Sequence, residues 1–441
     1  MQVNIFDYYD KPSRTLIQSL TTVNIKRKNI FVHYDGVLPK GAINPFAYFM
    51  GINEGDENDS GLFFDQVEVP EFYAIRHVDG DSANIEYLKN VVGKINYRED
   101  GYRLVHSVDW YAAQNLQSIV KKDHYTSAGQ HYATTYFSPA GSYKKSYYDS
   151  TGKLVIIEDL VNKNIRLYQG KAMHHFENLT QFFLYFLKVA KISISNIYIN
   201  SLSFPLFIAR QIDKNQTTTL FWQEALGQEV PGNMKHELNN PNTLKQVIFM
   251  SENQLSQVEK QFPATSVSLS YLSPIGEFVR VSHYRMNAFI LTNSDNIHGL
   301  RDILVNLPEL KITVAAYTNM STKLLHMAEE FPNIRLIPSI DPDELEIELE
   351  QSDIYLDINY GLKVDHILER AYQQNMIIFS YQDVMKKGEK SIVFNDTRDL
   401  CNNLSYILND RTSWQRLLTN MIEKDGRLSN IHDYQKILGQ K

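Results

Sequence analysis

Asn287-Ala-Phe-Ile-Leu291, Lys311-Ile-Thr-Val-Ala315, Ile334-Arg-Leu-Ile-Pro338, Ile354-Tyr-Leu-Asp-Ile358 and Met376-Ile-Ile-Phe-Ser380 are compact and apolar, as strands covered on both faces must be. Helical patterns separate them at Ile297–Asn306, Thr322–Phe331, Asp343–Gln351 and Val364–Gln373. Asp341-Pro342 before the third supplies an N-cap carboxylate and an N1 proline. Strict strand and helix alternation from Met286 to Asn409 predicts a doubly wound Rossmann-like domain. Ligands of such sheets sit beyond the carboxyl ends of the strands. Thr292–Asn296, Tyr317–Met320, Ser339–Pro342 and Asn359–Lys363 are therefore expected to line the functional edge.

Upstream, Val3–Tyr8 and Ile30–Tyr34 read as strands around a helix at Ser13–Leu20, the start of another α/β half. The acidic, small-residue stretch Ile52–Gly61 marks an exposed loop or domain crossing. From Asp65 to Tyr168 the pattern changes to short alternating segments, with turns at Glu99-Asp100-Gly101, Pro139-Ala140-Gly141 and Ser150-Thr151-Gly152. This predicts an antiparallel meander of roughly six to eight strands, beginning with Val67–Ile75. The α/β pattern resumes at Glu177–Lys188 and includes a helix at Asn242–Gln246 and strands at Thr218–Trp222 and Val247–Met250. The predicted organisation is a first Rossmann-like domain split into 1–64 and 169–285, a β insertion at 65–168, a second Rossmann-like domain at 286–425 and a C-terminal helix within 426–441. The terminal helices Arg411–Glu423 and Tyr434–Leu438 are expected to pack back against the first domain, and the insertion is expected to be separable from the two α/β halves.

The 441-residue chain is too long for one core. Its net charge of -7 does not suggest a nucleic-acid binder. Met1–Arg14 lacks a basic stretch followed by an apolar core, and no apolar run reaches the ~20 residues of a membrane span, so neither secretion by the usual signal nor membrane crossing is expected. The single cysteine, Cys401, reads as a packed helix residue in a reducing compartment and excludes an internal disulfide. The 27 tyrosines and 22 phenylalanines can serve both packing and contact surfaces. His131 and the pair His174-His175 read as packing or surface residues, so no metal is expected. Lys386-Lys-Gly-Glu-Lys390 reads as a solvated basic loop.

Two Rossmann-like domains facing a cleft describe the GT-B architecture of nucleotide-sugar transferases, but activity must be read from residues. A donor site would begin with a glycine-rich turn after the first strand, where this chain has Asp7-Tyr-Tyr-Asp10. An Arg or Lys after the first strand of the second domain would grip a diphosphate. Thr292-Asn-Ser-Asp-Asn296 contains neither. Retaining enzymes of this class carry two glutamates in the pattern E-x7-E. Glu369 fits the second, but the first position holds Gly361, and Gln374 and Met376 replace the glycine and proline expected after the motif. The competing reading is an active retaining transferase with an unusual donor site. Gly361 and the absent cation favour a non-catalytic protein.

With Phe6-Asp-Tyr-Tyr-Asp10, Asp35-Gly-Val-Leu-Pro39, Asn44-Pro-Phe46, Leu220-Phe-Trp-Gln-Glu224, Pro231-Gly-Asn-Met234 and Tyr355-Leu-Asp-Ile-Asn-Tyr-Gly361, the full chain resembles the accessory, stabilising subunits of bacterial glycosyltransferase pairs. These pairs add N-acetylglucosamine to Ser/Thr of serine-rich repeat adhesins before export by the accessory Sec pathway. The resemblance implies a GT-B fold with a β insertion, no cofactor, no nucleic acid, and two partners: a catalytic glycosyltransferase subunit and the Ser/Thr-rich adhesin polypeptide. It also implies a cytoplasmic protein that can sit peripherally at the inner face of the cell membrane. The aromatic insertion is then expected to contact the catalytic partner. Acceptor recognition is expected in the cleft, through Trp222, Gln223 and Glu224 after a strand of the first sheet and Asn359, Tyr360 and Lys363 at the edge of the second.

Overall fold

The computed structural model describes residues 1–52, 61–79, 81–98, 103–112, 115–212, 216–361, 364–386 and 390–439. Most of the acidic loop, the turn at 99–101, Lys363 and the middle of the 386–390 loop lie outside the described residues. The chain divides into two compact units, Met1–Leu272 with Gln435–Lys441, and Ser273–Tyr434.

The first unit contains a six-stranded parallel sheet, in spatial order Ser268–Tyr271, Leu244–Phe249, Thr217–Trp222, Asn196–Ile199, Gln2–Phe6 and Lys28–Phe31. Its first helix, Lys11–Thr22, is set by Asp10, whose side chain accepts from the Ser13 amide at 3.0 Å, and by Pro12 in the first turn. Asn44-Pro45 starts the helix Pro45–Met50 in the same way. A helix predicted at Asn242–Gln246 is instead the turn into strand Leu244–Phe249, and the helix lies earlier, at Gly232–Asn239. Lys245 and Gln246 give that strand a polar start that imitates a helical pattern, whereas Val247, Ile248 and Phe249 are fully buried in the sheet.

Between the two parts of this sheet runs a ten-stranded antiparallel meander from Ala74–His77 to Ala172–Phe176, each strand paired with its sequence neighbours. It exceeds the predicted strand count because Ser82–Tyr87 and Ala172–Phe176 are also strands. Val67–Ile75 is mostly not a strand, since Pro70 and the turn it opens, closed by the Tyr73 amide on the Pro70 carbonyl at 3.1 Å, interrupt it before Ala74. The meander is not separable. Tyr132, Tyr147, Ile156, Ile165 and Leu167 from one of its faces share a single core with Phe46, Phe182, Phe183 and Phe186. Excising it would strip the cover from that core.

The second unit has parallel strands in the order Ile334–Pro338, Lys311–Ala316, Asn287–Leu291, Ile354–Asp357, Ile377–Tyr381 and Ile392–Phe394, the doubly wound order in which the first strand lies centrally. Asp341 caps helix Pro342–Gln351, accepting from the Glu344 amide at 2.8 Å. Cys401 is buried in helix Thr397–Asn409. Helix Arg411–Ile422, expected with the first domain, belongs to the second unit, where Trp414, Leu418, Met421 and Ile422 complete the core. No described helix is long and apolar enough to cross a membrane.

Candidate functional site

In a doubly wound sheet, neighbouring crossovers diverge at the point where strand order reverses, opening a crevice at the carboxyl edge. In the first unit that point lies between Gln2–Phe6 and Asn196–Ile199, so Asp7 and Asn200 face each other. The Asp7 amide donates to Asn200 Oδ1 at 3.4 Å, and Asn200 Nδ2 donates to Ser13 Oγ at 2.8 Å and Gln223 Oε1 at 3.3 Å. Gln223 in turn donates to the Pro12 carbonyl at 2.7 Å. His33 Nε2 stands 3.4 Å from Asp7 Oδ1, and the Tyr8 ring stacks on His33 with centroids 4.4 Å apart. In the sequence Asp7-Tyr8 marks only a missing glycine turn, and no motif ties His33 to it. The usable signal was that both residues follow parallel strands.

Burial raises the Asp7 carboxyl to about 6, with hydrogen bonding from Ser201 opposing and the charges of Asp10 and Glu224 adding to the shift. Burial and the charge of Lys145 lower His33 to about 4. Asp7 is thus anionic and His33 neutral near pH 7.5. Because the folded state holds the Asp7 proton more tightly than the unfolded chain, the penalty appears as pH rises from the ordinary aspartate value of 3.8 and is complete above about 6. Asp7→Asn should therefore stabilise the protein at pH 7.5 by about 1–2 kcal/mol, less than the full shift because solvent screens this edge. Thermal unfolding at pH 7.5 and pH 4 checks this, with little gain expected at the lower pH.

Trp222, predicted as a stacking platform, is 1% exposed and belongs to the core. It ends a strand covered on both faces, so its ring points inward and offers no ligand face. Gln223 is half-buried in the network above, and Glu224 is exposed.

The second unit reverses order between Asn287–Leu291 and Ile354–Asp357. Lys386 is not part of a solvated loop. Its ammonium lies 2.9 Å from Asp357 Oδ1 and reaches the carbonyl and, at 3.2 Å, the Oδ1 of Asn359. Asn359 is 2% exposed, so it holds Lys386 rather than facing a ligand, contrary to the sequence expectation. Arg370 is paired with both Asp365 and Glu346. Two cations near the edge where a diphosphate would sit are thus neutralised by the chain's own carboxylates. Tyr360 is exposed, stacks beside His298 and donates to Asp383 at 3.2 Å, while His298 Nδ1 lies 3.3 Å from the same carboxylate. Gly361 has φ +122, and a Cβ there would lie 2.3 Å from Asn293 Oδ1. Gly361→Glu should accordingly destabilise this edge and confer no sugar transfer, which unfolding curves and a UDP-release assay would check.

A different feature marks the end of the meander. Strand Ala74–His77 is an edge strand, and its hairpin partner Ser82–Tyr87 turns through Leu88-Lys89, both at positive φ. Asparagine and glycine favour that turn, whereas a leucine there is strained by about 1–2 kcal/mol. Leu88 is 76% exposed, as is Phe72 at 81%, and the Tyr73 and Tyr87 rings between them lie 5.0 Å apart. Strain combined with exposed apolar surface points to contact with another molecule.

Four family profiles match in chain order: GtfB N-terminal domain over residues 3–49, GtfB middle domain over 73–177, GtfB third domain over 179–260, and GftB/GlyA-F C-terminal domain over 288–421. The chain is 32% identical over 391 residues to the UDP-N-acetylglucosamine–peptide N-acetylglucosaminyltransferase stabilizing protein GtfB of Streptococcus agalactiae, covering 87% of each chain. It is 31% identical to the protein of the same name in Streptococcus parasanguinis, covering 90% of each. Its fold matches a chain in the crystal structure of a GtfA/B complex bound to UDP and GlcNAc with TM-score 0.89 and 26% identity, covering 100% of this chain and 99% of that one.

Proposed function

This chain belongs to the GtfB family of glycosyltransferase-stabilising proteins, and we propose on that premise that it stabilises a catalytic N-acetylglucosaminyltransferase subunit and holds the Ser/Thr-rich adhesin polypeptide being modified. Its role is non-catalytic. The observation that carries this reading is the second sheet's reversal point, where Lys386 and Arg370 are paired with the chain's own carboxylates and Gly361, at φ +122, holds a backbone conformation that a catalytic glutamate would adopt only under strain. Half-buried Gln223 and the exposed Glu224 and Tyr360 are the acceptor contacts we assign, with Lys363 completing the set. The chain acts in the cytoplasm, peripherally at the membrane where the adhesin leaves. Its working parts are the split first domain at 1–64 and 169–285, the insertion at 65–168, the second domain at 286–425 and the closing helix within 426–441.

The transferase partner docks on the strained edge of the meander around Phe72 and Leu88. Edge strands present unpaired backbone groups, and apolar rings beside them give a dry centre to an interface. The double variant Leu88→Asn, Lys89→Gly tests this. It should raise the melting temperature, because both residues suit the turn, yet weaken co-purification with the transferase about tenfold or more. Unchanged association would place the contact elsewhere. Purified alone, the chain should release no UDP from UDP-GlcNAc, and adding it to the transferase should raise transfer to a Ser/Thr-rich peptide. Transfer by the isolated chain would overturn the non-catalytic assignment.

A further inference from the structure

A cavity of about 970 Å³ opens on the meander. Cross-strand pairing sets its orientation. Ala133 and Tyr147 pair with each other and point into the first unit's core, while Asp123 and Thr134, one residue out of phase with Ala133 and its partner, pair on the opposite face. Part of that face is covered by residues 62–73, where Val67 packs against Ile85, Ile95 and Val108. The cavity lies between this strap and the rings of Tyr136 and Tyr148.

Asp123 organises its floor. Oδ2 accepts from Trp110 Nε1 at 2.7 Å and Lys121 Nζ at 3.2 Å, and Oδ1 accepts from Thr134 Oγ1 at 2.7 Å with His131 Nε2 at 3.5 Å. Burial opposes its ionisation, but these hydrogen bonds and the charges of Lys121 and His131 hold the carboxyl well below its usual range. The indole of Trp110 is thereby locked in one orientation. His131, read from sequence as a packing residue, joins a run of rings, 5.5 Å from Tyr125 and 5.3 Å from Tyr148.

We propose that this cavity binds a saccharide, namely the N-acetylhexosamine carried by the acceptor after its modification. The identity of the sugar rests on the acceptor reading above; the presence of a sugar site rests on the cavity itself. Asp123 is matched by Lys121 and hydrogen-bonded on both oxygens, so the floor suits a neutral ligand rather than an ion. Rigid aromatic faces attract the polarised C–H bonds of a pyranose, and Gln66 and Glu68 at the rim can meet its hydroxyl and amide groups. The volume accommodates more than one sugar ring, as a glycosylated segment requires.

Trp110 supplies a readout in the unaltered protein. Of the 3 tryptophans, Trp222 and Trp414 are 1% and 2% exposed, whereas Trp110 is half-buried at the cavity. The full-length chain would be titrated with N,N′-diacetylchitobiose, with a Ser/Thr peptide bearing O-linked N-acetylglucosamine, and with the bare peptide. Both sugar-bearing probes should change Trp110 emission and protect it from acrylamide. Tyr136→Ala should weaken their binding about tenfold in calorimetry, and Trp110→Phe should remove the optical signal. Sugar binding that leaves Trp110 emission and the Tyr136→Ala affinity unchanged overturns the cavity assignment. So does binding of the bare peptide without either sugar probe, in which case the acceptor reading stands. Disaccharide binding in the cavity with neither peptide bound supports the saccharide site and overturns the acceptor reading instead. Loss of transferase association in Tyr136→Ala with sugar binding intact makes this face a protein interface and overturns the proposal.

Discussion

Asp353→Ala is expected to destabilise the second unit by about 3–5 kcal/mol, the usual effect of removing one partner from a buried charge network. Asp353 is 0% exposed and lies at the start of a central strand. Arg280 Nη1 donates to its Oδ1 at 2.6 Å, while Oδ2 accepts from the amides of His283 and Arg285 at 3.1 and 2.8 Å and from Arg285 Nε at 3.3 Å. One carboxylate thus fixes the irregular segment that precedes strand Asn287–Leu291. Without it the Arg280 guanidinium, whose side chain is 13% exposed, keeps only the Gln374 side chain and carbonyl oxygens as partners. Urea unfolding would show the loss, and trypsin should cleave after Arg280 and Arg285 much faster than in the unaltered protein. Asp353→Asn should fall between the two. An unchanged urea midpoint in Asp353→Ala would mean that packing alone holds this segment.

Trp222→Ala should cost about 3–5 kcal/mol, because it empties a large volume from a core that cannot fully collapse. Tyr360→Ala, at a 38% exposed edge position, should change stability by no more than about 0.5 kcal/mol. The two variants separate packing from recognition. If the acceptor assignment is right, Tyr360→Ala weakens binding of the Ser/Thr-rich polypeptide while its unfolding curve stays with the unaltered protein. Any loss of binding in Trp222→Ala should track the unfolded fraction and recover on cooling. A Trp222→Ala protein that unfolds like the original would contradict the burial of that ring.

The sequence by itself determined the parallel sheets, since strands buried on both faces must be continuously apolar and this pattern needs no knowledge of neighbours. Asp341-Pro342 likewise announced a helix start that the Asp341 to Glu344 hydrogen bond bears out. The missing donor chemistry was legible for a similar reason: Gly361 and the cation-free Thr292–Asn296 loop are absences at fixed offsets along the chain. Tertiary structure decided what depends on partners distant in sequence. Lys386 was read as solvated because Asp357 stands 29 residues away, and only adjacent parallel strands bring them together. Trp222 could equally have ended its strand facing solvent or core, and the choice followed from which helices cover the sheet. The same holds for the meander. Alternation showed that it had two faces, but only the fold committed Tyr147 to the core of the first unit and Tyr148 to a cavity, because neighbouring side chains on a strand must point opposite ways and the body of the protein can cover just one of them.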